Sequence, residues 1–429
     1  MQRFLPQLDR SRANPGFGEF VALAAMMTSL VALSIDAMLP ALPQIGQELG
    51  VHRANDNQLI ISVLFLGMTV GQMIYGPLSD RTGRKPAIYA GFGLFSVGCL
   101  LSLLAPSFPV MLAGRLLQGA GAAGPRIVTV ALIRDQYQGR AMARVMSFVM
   151  TVFILVPVIA PALGQGLLNL AHWRAIFGVY LALALISAGW FALRQPETLA
   201  PNRRIPFSLE RIVAAIREIL ANRITLGYTI AAGLISGVFL GYLNSAQQIF
   251  QEQYGLGTQF PLYFAILALA LGSASFLNAR LVMRYGMRAL ARGSLFILSG
   301  NSIVFWVIAY ALAGQPPLWA LMIYLLLSFF CIGILFGNLN ALAMEPLGHI
   351  AGMGAAVVGA LSTFISMLLG TLIGQSYNGT ILPLVGGFMI LSLAARLVMR
   401  WAEQRKQVSP KIVTADLLQE DPLGSVIEK

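Results

Sequence analysis

Twelve apolar stretches, each long enough to cross a bilayer, constrain this chain more than any other feature. They run roughly over 19–43, 57–78, 87–105, 109–133, 143–168, 174–193, 223–246, 259–281, 289–312, 318–340, 352–376 and 381–401. A helical crossing takes about 20 mostly apolar residues. Inside hydrocarbon every backbone N–H and C=O must be paired within the protein, so only helices and closed barrels can span. Runs this long and this uniformly apolar predict helices. Only 11% of the 429 residues are charged, against about 25% in soluble domains. The expected fold class is an all-α membrane protein with 12 transmembrane helices.

Most links between the runs are short. The exceptions follow the sixth run and the last, so the chain divides six plus six. The expected organisation is an N-terminal tail (1–18), a six-helix bundle (19–193), a linker (194–222), a second six-helix bundle (223–401) and a C-terminal tail (402–429). The linker opens with Arg194-Gln-Pro-Glu-Thr198 and contains Pro201 and Pro206. Leu209, Ile212, Val213, Ile216, Ile219 and Leu220 then recur at helical spacing, which predicts a short amphipathic helix lying on the membrane surface. The C-terminal tail is polar and mixed in charge, and reads as disordered.

The net charge of +12 could suggest a nucleic-acid partner, but its distribution argues otherwise. With the N-terminus inside, nearly all of the 29 Lys and Arg fall in the termini and inner loops. The outer loops hold Arg53, with Arg174 at a span edge. That asymmetry places both termini in the cytoplasm and gives the inner surface an attraction for anionic lipid headgroups. The first 18 residues are polar and carry Arg3, Arg10 and Arg12. The apolar run behind them is too long for a signal-peptide core and reads as a retained first span. Cys99 and Cys331 lie in separate spans, and His52, His172 and His349 are scattered, so neither a disulfide framework nor a metal site is expected. No nucleotide-binding loop is present to support ATP-driven transport. A membrane-embedded enzyme would need a cluster of acids, bases or nucleophiles within the spans, and none is seen. The expectation is a non-enzyme that needs no cofactor.

Residues 76–88 read Gly-Pro-Leu-Ser-Asp-Arg-Thr-Gly-Arg-Lys-Pro-Ala-Ile, a basic turn between the second and third spans. Residues 279–291 echo it. Arg81, Gly83 and Lys85 have counterparts in Arg284, Gly286 and Arg288, whereas Asp80 meets Met283 and Arg84 meets Met287. The turn resembles the loop 2–3 signature of the major facilitator superfamily of secondary transporters. Leu112-Ala-Gly-Arg-Leu-Leu-Gln-Gly-Ala-Gly-Ala-Ala123 resembles that family's span 4 signature. The resemblance implies two pseudo-symmetric six-helix bundles with cargo bound between them near mid-membrane. It also implies an inner gate of Gly76, Asp80, Arg81, Gly83, Arg84, Lys85, Arg134 and Asp135, in which the loop Asp lies near the start of span 11 and locks the outward-open state. In the second half Glu345 is expected to pair with Arg284 or Arg288. Val156-Pro-Val-Ile-Ala-Pro-Ala-Leu-Gly-Gln165 resembles the antiporter signature of span 5 through Pro157, Pro161 and Gly164. It departs from that signature at Ala160 and Gln165, which weakens it as a sign of transport direction. The two prolines predict a bent helix.

Ionisable side chains within a span cost about 2.5–3.5 kcal/mol on insertion scales and are functional suspects. Asp36, Arg115 and Arg126 are the clear cases. Asp36 and Arg115 fall at similar depth, roughly 10 Å below the outer surface at 1.5 Å per residue. Spans 1 and 4 line the central cavity in the family, so an Asp36–Arg115 contact is expected in at least one transport state. A dry cavity favours the neutral form of a carboxyl and a nearby guanidinium favours the ionised form, while Arg keeps its own proton. The pair therefore reads as a proton-coupling switch with Asp36 as carrier, and a fixed structural ion pair is its rival. Arg126, eleven residues beyond Arg115, returns to nearly the same helix face, with Gln118 close by. Asp36, Arg115, Gln118, Arg126, Tyr242 and Asn244 are the candidate cargo contacts.

Asp36-Ala-Met-Leu-Pro-Ala-Leu-Pro43, Ile133-Arg-Asp135 and Glu345-Pro-Leu-Gly-His-Ile-Ala-Gly352 further resemble the Bcr/CflA branch of drug:proton antiporters. That resemblance implies a monomeric, multi-pass protein of the bacterial inner membrane that exchanges small molecules for protons. One acid with one or two Arg in the membrane suits neutral, zwitterionic or anionic cargo. A carrier dedicated to one metabolite, such as a siderophore or sugar, stays open on the same fold.

Overall fold

The computed structural model describes residues 15–206 and 208–404. The expected tails therefore lie outside the described residues, apart from 15–18 and 402–404. Among the described residues the chain is helical, without strands. The helices are α1 (Phe17–Asp36), α2 (Leu42–Glu48), α3 (Leu59–Thr82), α4 (Arg84–Leu103), α5 (Phe108–Gln136), α6 (Gly139–Leu170) and α7 (Arg174–Arg194). They continue with α8 (Leu209–Ala221), α9 (Arg223–Gln247), α10 (Phe260–Tyr285), α11 (Met287–Ala311), α12 (Leu318–Met344), α13 (Ala351–Gln375) and α14 (Leu382–Glu403). Helices α1 and α2 make one broken crossing. Between α12 and α13 only a tight turn, Glu345–Ile350, divides a 58-residue apolar stretch, so the crossings number twelve.

The two halves repeat one packing plan. In the first, α1 packs on α5, α6 and α7, α5 packs on α3 and α4, and α4 packs on α7. In the second, α9 packs on α12, α13 and α14, α12 packs on α10 and α11, and α11 packs on α14. Each contact in one list has its partner six crossings later in the other. Across the interface α3 meets α13 and α6 meets α10, and the same shift exchanges those two contacts. The repeat reaches the backbone: α3 turns into α4 at Gly83 and α10 into α11 at Gly286, both at positive φ (109° and 77°). A side chain at either position would be strained.

Small residues set the close approaches within the first half. A Cβ at Gly119 of α5 would overlap the Leu64 carbonyl of α3, and one at Gly121 would overlap the Phe95 amide of α4. Close backbone approach of this kind is how membrane helices gain contact where lipid removes the hydrophobic drive. Helix α8 forms where the linker's apolar spacing predicts it. Ser208 caps it by accepting from the Arg211 amide at 3.3 Å, and it buries Ile212, Ala215 and Ile219 against α9 and α13. The described ends of the chain, residues 15 and 404, together with α8 mark one end of the molecule, called here the basic end for its Lys and Arg. The opposite end is called the far end.

Candidate functional site

The first crossing stops being an α-helix at Asp36 and resumes at Leu42. Pro40 and Pro43 explain this, because each lacks the N–H that a continuous ladder needs. Broken helices of this kind often frame transport sites. Gly164 of α6 faces this break, and a Cβ there would overlap the Ala37 carbonyl. The glycine of the span 5 motif thus holds the turn that carries Asp36. Helix α6 itself runs through Pro157 and Pro161 from Gly139 to Leu170 without interruption.

Asp36 is buried, at 4% exposure, and makes no hydrogen bond or ion pair among the described residues. The expected contact with Arg115 is not made in this conformation. The guanidinium is engaged elsewhere: Nε donates to the Ile60 carbonyl (3.1 Å), Nη1 to Gln118 Oε1 (2.6 Å) and Nη2 to the Ser34 carbonyl (2.9 Å). Fully buried, Arg115 staples α5 to α3 and to α1, two residues short of Asp36. Gln118 holds this arginine and donates to Cys99 Sγ at 3.0 Å, which leaves it no open face toward cargo. Two tyrosine hydroxyls missed in the sequence reading as a pair, Tyr180 and Tyr242, are buried without a partner and lie within electrostatic reach of Asp36. The Tyr242 ring packs against Phe250, Phe264 and Phe329.

The far end is sealed by a seam of neutral groups that joins the halves. Asn55 donates to the Gln375 and Tyr377 carbonyls (3.0 and 2.8 Å), accepts from Gln248 Nε2 (2.9 Å), and its carbonyl accepts from Gln375 (2.8 Å). Gln58 donates to Gln248. Asn244 Nδ2 and Thr371 Oγ1 both donate to Ser62 Oγ, at 3.2 and 2.8 Å. Asn244 is therefore part of the closed seam in this conformation. Burial pushes the Tyr377 phenol up to about 12, so it too stays neutral.

The basic end is open. A cleft of about 290 Å³ lies between α3 and α5 on one side and the start of α13 on the other. Its roof is the bond from Gln72 to Thr363, 3.1 Å, which crosses the halves. Gly76, Asp80, Arg84, Arg126 and Arg134 line it, facing Gly352 and Met353. Arg84 is the hub of its mouth, with Nη1 2.6 Å from Asp80, Nε 2.8 Å from Asp135 and a further bond to Ser79. Asp80 faces the start of α13 across the cleft, and its carboxylate is bonded to Arg84. Arg81 is exposed. Lys85 Nζ donates to the Gln195 carbonyl at 2.7 Å. In the second half Glu345 pairs with Arg288 at 2.6 Å.

The sequence reading passed over Glu197. Its carboxylate accepts from the Arg84 and Lys85 amides (2.9 and 3.0 Å), closing the N-terminus of α4, and from the Thr198 and Leu199 amides (both 2.9 Å). A carboxylate is favoured at such a terminus by the helix dipole. The Ile205 amide adds a bond to the Asp80 carbonyl at 2.9 Å. The clue was present: a Pro-Glu pair two residues behind the arginine that ends a span.

Comparison with known proteins places this architecture. The profile described as Major Facilitator Superfamily matches residues 24–371. The chain is 30% identical to the MFS-type transporter YdgK of Bacillus subtilis, over 88% of this chain and 94% of that one. It is 28% identical to a bicyclomycin resistance protein homolog of Haemophilus influenzae, with the same coverage. A structure of the xylose transporter XylE from E. coli shares the fold at a TM-score of 0.69 and 14% identity, covering 90% of this chain and 97% of that one. Twelve crossings, two matching halves and a profile that spans most of its length together establish that this chain belongs to the major facilitator superfamily.

Proposed function

We propose that this protein is a proton-coupled antiporter of the bacterial inner membrane that exports small drug-like molecules by alternating access. The basic end faces the cytoplasm, a reading supported by its Lys and Arg content. In this conformation the far end is sealed and the cleft opens to the cytoplasm, the posture in which an exporter takes up cargo. The similarity to a bicyclomycin resistance protein homolog supports export of antibiotic-like cargo.

The observation that carries the coupling is Asp36, a buried acid without a partner at the break of the first crossing. An unpaired buried charge is expensive, and a proton removes it. Arg115, tied to Ser34, Ile60 and Gln118, stands on a neighbouring crossing and holds the carbonyl two residues before Asp36. A rearrangement that breaks those bonds would bring a fixed cation to the carboxylate and release its proton. Asp36 is then the proton carrier and Arg115 the group that discharges it. The partnerless hydroxyl of Tyr242, from the other half, gives Asp36 a group that moves when the halves rock.

The test uses inside-out membrane vesicles with an imposed proton gradient. Adding bicyclomycin or chloramphenicol to wild-type vesicles should release protons, and Asp36→Asn, present in equal amount, should not. Equal release by both would place coupling elsewhere. No release by folded wild type would defeat the export reading.

A further inference from the structure

The cleft contains one group that the proton chemistry does not use. Arg126 makes no hydrogen bond or ion pair among the described residues. Four other arginines set within or against the crossings are satisfied. Arg84 has two carboxylates, Arg115 has three acceptors, Arg174 has Glu48 and Arg194 has Glu19. A guanidinium within a crossing costs about 2.5–3.5 kcal/mol even on the lenient scale. An arginine left there without a protein acceptor keeps its donors free for a group that enters from outside.

Its surroundings fix the sign of that visitor. The charged groups facing the cleft are Asp80, Arg84, Arg126 and Arg134. Asp80 is bonded to Arg84, and so is Asp135 behind it. The two cations left uncompensated are Arg126 in the wall and Arg134 at the mouth. Ile127, Val130, Met353 and Ala356 supply apolar wall beside them. The start of α13, a 25-residue helix, forms the opposite wall, and its dipole has the same positive sign. Five N–H donors in a planar fork match a carboxylate in two-point fashion. The volume, about 290 Å³, lies near the small end of ligand pockets.

We infer that Arg126 is the docking point for a carboxylate, or a similar anionic group, on cargo entering the cleft from the cytoplasm. The inference rests on the export reading for its direction and refines it by naming an anionic class of cargo that the cleft takes beside neutral molecules. Arg126 lies eleven residues from Arg115 along α5, about 16 Å at 1.5 Å per residue. The cargo's negative charge and the coupled proton are thus held at separate places, and they compete through the conformation of the halves.

The test is binding to purified protein in phosphatidylcholine nanodiscs, which contain no anionic lipid to occupy the site. Fluorescein and rhodamine 123 share a xanthene ring and differ in charge, and fluorescence anisotropy reads both. Wild type should bind fluorescein. Arg126→Gln should lower the ratio of fluorescein to rhodamine 123 affinity at least tenfold, and Arg126→Lys, which keeps the charge, should recover most of it. An unchanged ratio in Arg126→Gln overturns the assignment. So does equal loss of both dyes in Arg126→Gln and Arg126→Lys, the mark of a packing defect, or a wild type that binds rhodamine 123 but not fluorescein. Proton release from wild-type vesicles by neutral chloramphenicol reads the export proposal independently. A positive result there with an unchanged dye ratio removes the anion site and leaves the exporter standing.

Discussion

Asp36 owes its position to four neighbours that have little to do with acidity. Pro40 and Pro43 end the helix behind it, Gly164 leaves room for the Ala37 carbonyl, and Arg115 pins the Ser34 carbonyl. A methyl group at Gly164 meets backbone and not a movable side chain, so Gly164→Ala should cost about 1–3 kcal/mol, the range for overpacking. Thermal unfolding in detergent should show a lower midpoint, and vesicle proton release should weaken with it. Asp36→Asn should behave in the opposite way. It replaces a buried acid that has no partner with a neutral group of the same shape, so the midpoint should hold or rise while proton release is lost. The sequence showed that Asp36 and Arg115 belong at one depth. It could not show which acceptors the guanidinium would choose, because backbone carbonyls carry no signature in the residue letters.

At the scale of elements, the crossings and the linker helix α8 were legible from apolar periodicity, and the turns at Gly83 and Gly286 from the repeated loop. The far-end seam was not. Asn55, Gln58 and Gln248 look like ordinary polar residues at span ends, and only the packing of α3 against α9 and α13 brings them together. Three side-chain bonds at about 0.5–1.5 kcal/mol each make Asn55→Ala worth about 1.5–4.5 kcal/mol toward the outward-open form. Spin labels placed on either side of the seam should report a longer distance in that variant. Since none of the bonded groups carries charge and the Tyr377 phenol stays protonated until the pH nears 12, the wild-type distance should not change between pH 5 and 9 or between low and high salt. A pH-dependent distance would mean that a charged group outside the seam governs closure. Glu197 is the corresponding omission at the basic end. Glu197→Ala leaves the first amides of α4 without their acceptor, and hydrogen exchange there should quicken while α11, its counterpart in the second half, stays as protected as before.

For the whole molecule, the match of contacts between the halves predicts rocking about the α3–α13 and α6–α10 interfaces. A variant carrying Asn55→Cys and Gln375→Cys, with Cys99 and Cys331 replaced by Ala, should stop proton release when a short bis-methanethiosulfonate bridges the pair through two disulfides. Reduction should restore it. Continued release with the bridge in place would mean that the far end need not part. The symmetry of the fold does not extend to its fastenings. At the base of the first half, Arg84 is clasped by Asp80 and Asp135 and bound to the linker through Glu197. At the matching place in the second half stand Met287 and one exposed pair, Arg288 with Glu345. The two halves should therefore not yield equally to the same push. The protein is built like a doorway with one heavily braced jamb, and the second half is expected to be the leaf that gives first.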